Sequence, residues 1–247
     1  MKIDFSNKTV IVTGGTRGIG AAIVELFQQC NAQVIGTGTN TKELERLNQK
    51  SKEKKTDYIY LDCTSNESVQ GFLGFIDKQD RVDVLINNAG VNKIEFIDKI
   101  EQDDWDWINH VNLRGPFQLT KAVSGLMKKQ GQGKIVNIAS IFGVVSKSKR
   151  AAYSTTKWGL VGLTKAAALD LASHNILVNA VSPGFVDTEL TRQILGEKEI
   201  EKLLDTIPQK RLAVVKEIAK TVIFLASDHN TYITGQNIIV DGGFTSA

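Results

Sequence analysis

Residues Lys8 to Cys30 read K-T-V-I-V-T-G-G-T-R-G-I-G-A-A-I-V-E-L-F-Q-Q-C. Lys8–Thr13 is a short β-branched apolar run, the pattern of a strand buried on both faces. Gly14–Gly20 follows at once, and the residues after it space their apolar side chains as a helix does. A strand, a glycine turn and a helix in immediate succession predict the nucleotide-binding opening of a doubly wound α/β fold. The glycines let the backbone approach a pyrophosphate at a helix N-terminus, where free N–H groups and the helix dipole favour an anion. Three glycines matter, Gly14, Gly18 and Gly20, spaced G-x-x-x-G-x-G, with Gly15 an extra small residue in the turn.

Working outward, six more strand patterns appear: Gln33–Thr37, Tyr58–Leu61, Val82–Ile86, Lys134–Ala139, Ile176–Val181 and Asn237–Val240. Helical patterns alternate with them, including Asn66–Lys78, Asp103–Lys129, a helix from Ala151 and Glu217–Ser227. This alternation predicts one α/β domain over residues 1–247, a seven-stranded parallel sheet with helices on both faces. The pattern loosens between Phe185 and Leu212, where Gly196 and Pro208 interrupt scattered apolar residues. Two short mobile helices closing over a site are expected there. The helix from Ala151 is apolar almost all round, which implies cover from a second subunit as well as from the sheet.

The end of the second strand bears on which dinucleotide fits. A site for NAD normally places a carboxylate about 20 residues beyond the glycines to bond the ribose 2′-hydroxyl. Between Leu26 and Lys42 there is none, and the strand ends in Gly38, Thr39 and Asn40. Arg17 and Lys42 can supply positive charge for a 2′-phosphate, with Thr39 or Asn40 giving it hydrogen bonds. NADP(H) is therefore expected over NAD(H).

The chemistry is expected between Ser140 and Lys157. Ser140 follows a strand, at the end where open α/β sheets bind ligands. Tyr153 and Lys157 are four residues apart and share one helix face. A phenol titrates near pH 10, so its use near neutrality needs a neighbouring cation to favour the phenolate. Asn112, inside a helical pattern and next to Gly115-Pro116, is out of place, because asparagine competes for backbone bonds. Lys147, Lys149 and Arg150, bracketed by Ser140 and Tyr153, could attract an anionic substrate.

Composition narrows the classes. The chain has 247 residues, 42% of them hydrophobic, with 30 basic and 27 acidic side chains and a formal charge of +3. This mixed surface shows no basic stripe of the kind that binds nucleic acid. Cys30 and Cys63 have neither metal-binding spacing nor a disulfide framework, so no metal is expected. No apolar run approaches the length of a membrane span, and the N-terminus carries no secretory pattern, so a cytoplasmic protein is expected.

Together, T-G-G-T-R-G-I-G, N-N-A-G, Asn112, Ser140, Y-S-T-T-K, N-A-V-S-P-G and I-T-G-Q-N-I-I-V-D-G-G closely resemble the short-chain dehydrogenase/reductase family, a Rossmann fold. The resemblance implies that Tyr153 is the acid/base and that Lys157 lowers its pKa and contacts the nicotinamide ribose. It further implies that Ser140 orients the substrate oxygen and Asn112 holds a water in a proton relay. It places Gly14, Thr16, Arg17, Gly18, Ile19, Gly20, Thr39, Asn40, Asp62, Cys63, Asn87, Ala89, Gly90, Pro183, Gly184, Val186 and Thr188, with Tyr153 and Lys157, along the dinucleotide. Within the family the chain looks most like the 3-oxoacyl-acyl-carrier-protein reductases, which implies a 3-oxoacyl thioester, an acyl carrier protein as partner and a homotetramer. The regions that would dock the carrier read Lys128-Lys129-Gln130 and Ser173-His174-Asn175, a thinner basic surface than the arginines of such enzymes. A sugar or another small secondary alcohol or ketone is the alternative substrate, and a dinucleotide-sensing regulator is the non-enzymatic one.

Overall fold

The structure, a computed structural model, describes residues 3–51 and 55–247. Part of the mixed-charge run Lys42–Lys55, residues 52–54, lies outside the described residues. Seven strands, β1 (Thr9–Val12), β2 (Gln33–Gly38), β3 (Thr56–Tyr60), β4 (Val84–Asn87), β5 (Gly133–Ile138), β6 (Ile176–Pro183) and β7 (Asn237–Val240), form one sheet. Its order is β3-β2-β1-β4-β5-β6-β7 and every pair is parallel. The order reverses between β1 and β4, and at such a switch point the loops leaving two neighbouring strands diverge and open a crevice at their carboxyl ends.

Strand alternation divides the core in two. Val10 and Val12 of β1 join Ile23 and Phe27 of α1 (Gly18–Gln29) and Ile218 and Val222 of α8 (Val215–Ala226) on one face. Ile11, between them, points the other way. There it meets Phe72 and Ile76 of α3 (Asn66–Asp77), Leu119 and Val123 of α5 (Gly115–Gln130) and Leu171 of α6 (Ala151–Leu171). α2 (Thr41–Ser51) borders β3.

The long helix read over Asp103–Lys129 is interrupted. α4 (Gln102–Asn109) passes through a π turn at His110–Arg114 into α5. Pro116 has no N–H to offer Asn112, and the Gly115 N–H bonds His110 five residues back. The widened turn swings Asn112 inward, where it is fully buried. Beyond β6, α7 (Glu189–Thr206) breaks at Gly196, whose φ of 70° and ψ of 165° are not helical. Two helical pieces thus meet at the expected glycine, while Pro208 lies past the end of α7.

The glycine turn after β1 is packed to backbone contact. Gly14 has a φ of +62°, and a Cβ on Gly20 would stand 2.0 Å from the Gly14 carbonyl oxygen. Gly20→Ala should therefore push the loop and α1 apart, destabilising the protein by about 1–3 kcal/mol. Thermal denaturation and dinucleotide titration check this; unchanged Tm and affinity would show that the turn has slack.

Candidate active site

Every sequence-predicted site residue lies at the carboxyl end of the sheet or on a helix facing that end. Gly14 to Gly20 leave β1, Thr39 and Asn40 leave β2, and Asp62 and Cys63 follow β3. Asn87 ends β4 and is followed by Ala89 and Gly90, Ser140 follows β5, and Pro183 ends β6 ahead of Gly184, Val186 and Thr188.

On the cofactor side, two loops are tied together by Asn88 of the N-N-A-G stretch. The Asn88 side-chain amide donates to the Thr13 carbonyl at 2.8 Å and the Gly14 carbonyl at 3.1 Å. The Thr13 hydroxyl in turn accepts the backbone N–H groups of Asn88 and Ala89, both at 2.9 Å. The available signal was the repeated amide in N-N-A-G. Across the cleft, a Cβ on Gly18 would meet the Thr188 methyl at 3.8 Å, so the glycine loop and the loop after β6 face each other. Arg17 precedes α1, is exposed, and makes no side-chain capping bond; with Gly18, Ile19 and Gly20 opening the helix, the N–H groups there are placed to receive a pyrophosphate. Thr16 packs beside Gly38.

Several of the predicted contact residues also bond or pack within the protein. The Asn87 side chain is buried, donating to Asn137 at 2.8 Å and Thr120 at 3.3 Å, so only its backbone faces the crevice. Cys63 turns its sulfur toward Gly115, and burial pushes its thiol up to about 11. Asn40 spends its side-chain oxygen on the Glu43 N–H, in the first turn of α2, leaving its amide nitrogen to donate. Asp62 likewise holds the Thr64 N–H and hydroxyl with one oxygen. Val186 is buried and pairs with Ala213, and Gly184 packs closely on Asp241.

On the reaction side, Tyr153 and Lys157 stand one turn apart in α6. The Lys157 ammonium is 5.6 Å from the Tyr153 ring centroid and donates to the Ile138 carbonyl at 2.8 Å. It is 3% exposed, and burial lowers its pKa to about 8. Ser140, also buried, accepts the Phe142 N–H at 3.1 Å, and its hydroxyl is among the groups that act to lower the phenol's pKa. Gly90 closes the group: a Cβ there would lie 3.5 Å from Lys157 Nζ and 3.6 Å from Asn112 Oδ1. Asn112 accepts the Val91 N–H at 2.8 Å and donates to the Val91 carbonyl at 2.9 Å and the Thr156 hydroxyl at 3.2 Å. Its side chain is therefore a clamp on the segment after Gly90, and water would have to be held by the groups this clamp positions.

The electrostatics differ from expectation at one point. Without ligands, the Tyr153 phenol is held above its usual value, because burial outweighs the opposing effects of the Ser140 hydroxyl and the Arg150 guanidinium. The Lys157 ammonium donates to the Ile138 carbonyl. Arg150, read from sequence as a loop cation, is 8% exposed, whereas Lys147 and Lys149 are exposed and Lys149 lies over the Phe96 ring at 4.3 Å. Phe142, Phe185 and Phe244 form an edge-to-face series beside Tyr153, an apolar wall the sequence reading did not find.

A family model described as enoyl-(acyl carrier protein) reductase matches residues 14–245. The 3-oxoacyl-[acyl-carrier-protein] reductase FabG of Thermotoga maritima is 38% identical over 239 residues, 96% of this chain and 97% of that protein. That of Aquifex aeolicus is 38% identical over 247 residues, 98% and 99% of the two chains. Among solved structures, a gluconate 5-dehydrogenase from Burkholderia cenocepacia J2315 in complex with NADP and tartrate superposes with a TM-score of 0.93 at 30% identity, covering 100% of this chain and 98% of that one. A glycine crevice built for a dinucleotide, beside a serine, tyrosine and lysine gathered at one strand end, agrees with these likenesses: the protein is an oxidoreductase acting on CH–OH/C=O groups and belongs to the short-chain dehydrogenase/reductase family.

Proposed function

We propose that the protein is an NADPH-dependent ketone reductase whose substrate is a 3-oxoacyl thioester, reduced to the 3-hydroxy form. The observation that carries the reading is Tyr153 one turn from a buried ammonium, 5.6 Å from its ring, with Ser140 at the neighbouring strand end beside the glycine crevice. When bound, the nicotinamide supplies a hydride. Ser140 and Tyr153 hold the carbonyl oxygen, and Tyr153 gives it a proton. Lys157 stands ready for the nicotinamide ribose, and Asn112 fixes the Gly90–Val91 segment over which the ring lies. Thr188 and Gly184 close the crevice from the β6 side. The phenylalanine wall suits an acyl chain, and the names of the curated relatives support the thioester.

The preference for NADPH rests on exposed Thr39, Asn40 and Arg17 where β2 and the glycine loop end without a carboxylate. The segment 185–212, broken at Gly196, acts as a lid. Trp158 and Leu169 of α6 and Phe117 of α5 are 52%, 82% and 50% exposed on the single chain, which favours a homotetramer that covers them. Among the described residues no helix is long and apolar enough to cross a membrane.

A second reading, reduction of an oxo acid of the gluconate type, is favoured by the Burkholderia neighbour and by exposed Lys147 and Lys149 in the loop before α6. NADPH consumption with acetoacetyl thioesters and with 5-ketogluconate separates the two. Turnover of the thioester alone is expected; turnover of the sugar acid alone would replace the first reading with the second, and turnover of neither would set both substrates aside.

Arg17→Ala should lower kcat/KM with NADPH about tenfold, the scale of one lost charge-assisted hydrogen bond, and leave NADH nearly unaffected. Comparable losses with both cofactors would overturn the 2′-phosphate assignment. Tyr153→Phe should bind NADPH as before while kcat falls by at least ~100-fold; near-normal turnover would refute the acid. Lys157 makes a pH prediction. Its folded-state pKa of about 8 lies below the ordinary lysine value, so between pH 8 and 10 the unfolded chain binds more protons and stability must rise with pH. Denaturation of the ligand-free protein should show this rise, up to ~3 kcal/mol, and Lys157→Met should lose it.

A further inference from the structure

One buried charge beside the reaction site has no role in the chemistry above. Arg150 immediately precedes α6, and its Nε and Nη1 are buried without a hydrogen-bond partner. Its guanidinium carbon lies 5.6 Å from the Phe142 ring centroid, and Phe142 sets its ring edge-to-face with Tyr153, centroids 6.3 Å apart. The Arg150 carbonyl accepts the Ser154 N–H at 2.7 Å, which fixes the backbone one turn before the phenol. Three things oppose a cation here: burial, the missing partner, and the positive end of a 21-residue helix. Arg150 lies three residues before Tyr153 at the start of the same helix, with Phe142 packed against both, and the Lys157 ammonium stands one turn on.

We propose that Arg150 is a positioning residue for the reaction, a buried counter-charge held in place for the tyrosinate that Tyr153 becomes each time it gives up its proton. In reduction the phenol O–H bond breaks, the proton passes to the former carbonyl oxygen as the carbonyl carbon takes the hydride from NADPH, and the electron pair stays on the Tyr153 oxygen. In oxidation the same tyrosinate is the base that removes the alcohol proton. Arg150 is unpaired before the step and opposite an anion after it, so it stabilises the product side of the proton transfer. A substrate carboxylate fits less well, because Nε and Nη1 are buried. The inference rests on Tyr153 being the acid/base.

The test compares the full-length protein with Arg150→Gln, Arg150→Met and Arg150→Lys. Tyrosinate absorbance, taken as the difference between each protein and the same protein carrying Tyr153→Phe, follows the phenol without any substrate. In parallel, kcat/KM for acetoacetyl-N-acetylcysteamine and for 5-ketogluconate is measured against pH with NADPH. The neutral variants should raise the Tyr153 pKa by about one unit, move the basic limb of the pH profile with it and leave KM unchanged, and Arg150→Lys should restore most of the shift. Unchanged Tyr153 ionisation in a folded neutral variant would overturn the proposal. So would a KM increase confined to 5-ketogluconate without a shift, which would make Arg150 a substrate anchor. Failure of both neutral variants to fold would make it a structural cation, with the same consequence. If neither compound is turned over the ketone-reductase reading fails, while the absorbance titration still judges Arg150.

Discussion

The site depends on one continuous run of hydrogen bonds that crosses the switch point of the sheet. It starts at the Thr13 hydroxyl, which holds the backbone of Asn88 and Ala89, while the Asn88 amide holds the Thr13 and Gly14 carbonyls in return. Two residues on, Val91 is gripped at both its N–H and its carbonyl by Asn112. Asn112 reaches the Thr156 hydroxyl, and that hydroxyl donates to the Tyr153 carbonyl at 2.8 Å. The glycine loop that would receive the pyrophosphate and the helix that carries the phenol are thus connected through neutral amides and hydroxyls. Hydrogen bonds fix direction as well as distance, so this linkage can hold the two half-sites in a geometry that hydrophobic contact alone would leave loose.

Such a linkage needs polar side chains in a core that otherwise excludes them. Asn87 donates to Asn137, Asn137 donates to Thr164 of α6 at 2.9 Å, and Thr120 of α5 meets Asn87. These pairs pin α5 and α6 against β4 and β5. The Asn87 oxygen is left without a partner, which is unfavourable in a buried place. The π turn is part of the same arrangement. It adds one residue per turn at the point where Asn112 must face inward, and Pro116 ensures that the regular bond is not made instead.

Much of this was legible from residue order. The glycines after β1, the missing carboxylate after β2 and the Ser140, Tyr153 and Lys157 spacing all mark positions that topology alone brings to one end of a parallel sheet. The out-of-place Asn112 was readable because propensity argued against it, which left a special role or a kink beside Gly115-Pro116; the structure shows the π turn there and the Asn112 side chain bonded to Val91. What was not legible is direction. A strand buried on both faces carries the same apolar pattern on each, so nothing in N-N-A-G says that Asn87 turns into the core while Asn88 turns to the loop. The side-chain directions of Cys63 and Asn40 were hidden in the same way, the sulfur turned toward Gly115 and the amide oxygen taken by the first turn of α2. Arg150 sits among exposed lysines in sequence, and only the packing of Phe142 over the start of α6 separates it from them.

The two ends of the sheet treat buried charge in opposite ways. At the amino ends, Asp83 is 5% exposed and fully answered: it accepts the Thr9 N–H at 2.9 Å and the Arg81 Nε at 2.8 Å, takes a second bond from the Arg81 guanidinium and has Lys8 at 3.7 Å. Removing any one partner would leave the others, as suits a group whose task is to hold β1 beside β4. At the carboxyl ends, Lys157 donates to one backbone carbonyl and the Arg150 guanidinium lies against an aromatic face, with no ion pair to either among the described residues. Protein that merely needed to be stable would place an acid there or remove the cations. An excess of positive charge that the resting fold does not neutralise is what a site requires if its negative charge is to arise during the reaction, on Tyr153 and on the oxygen of the substrate.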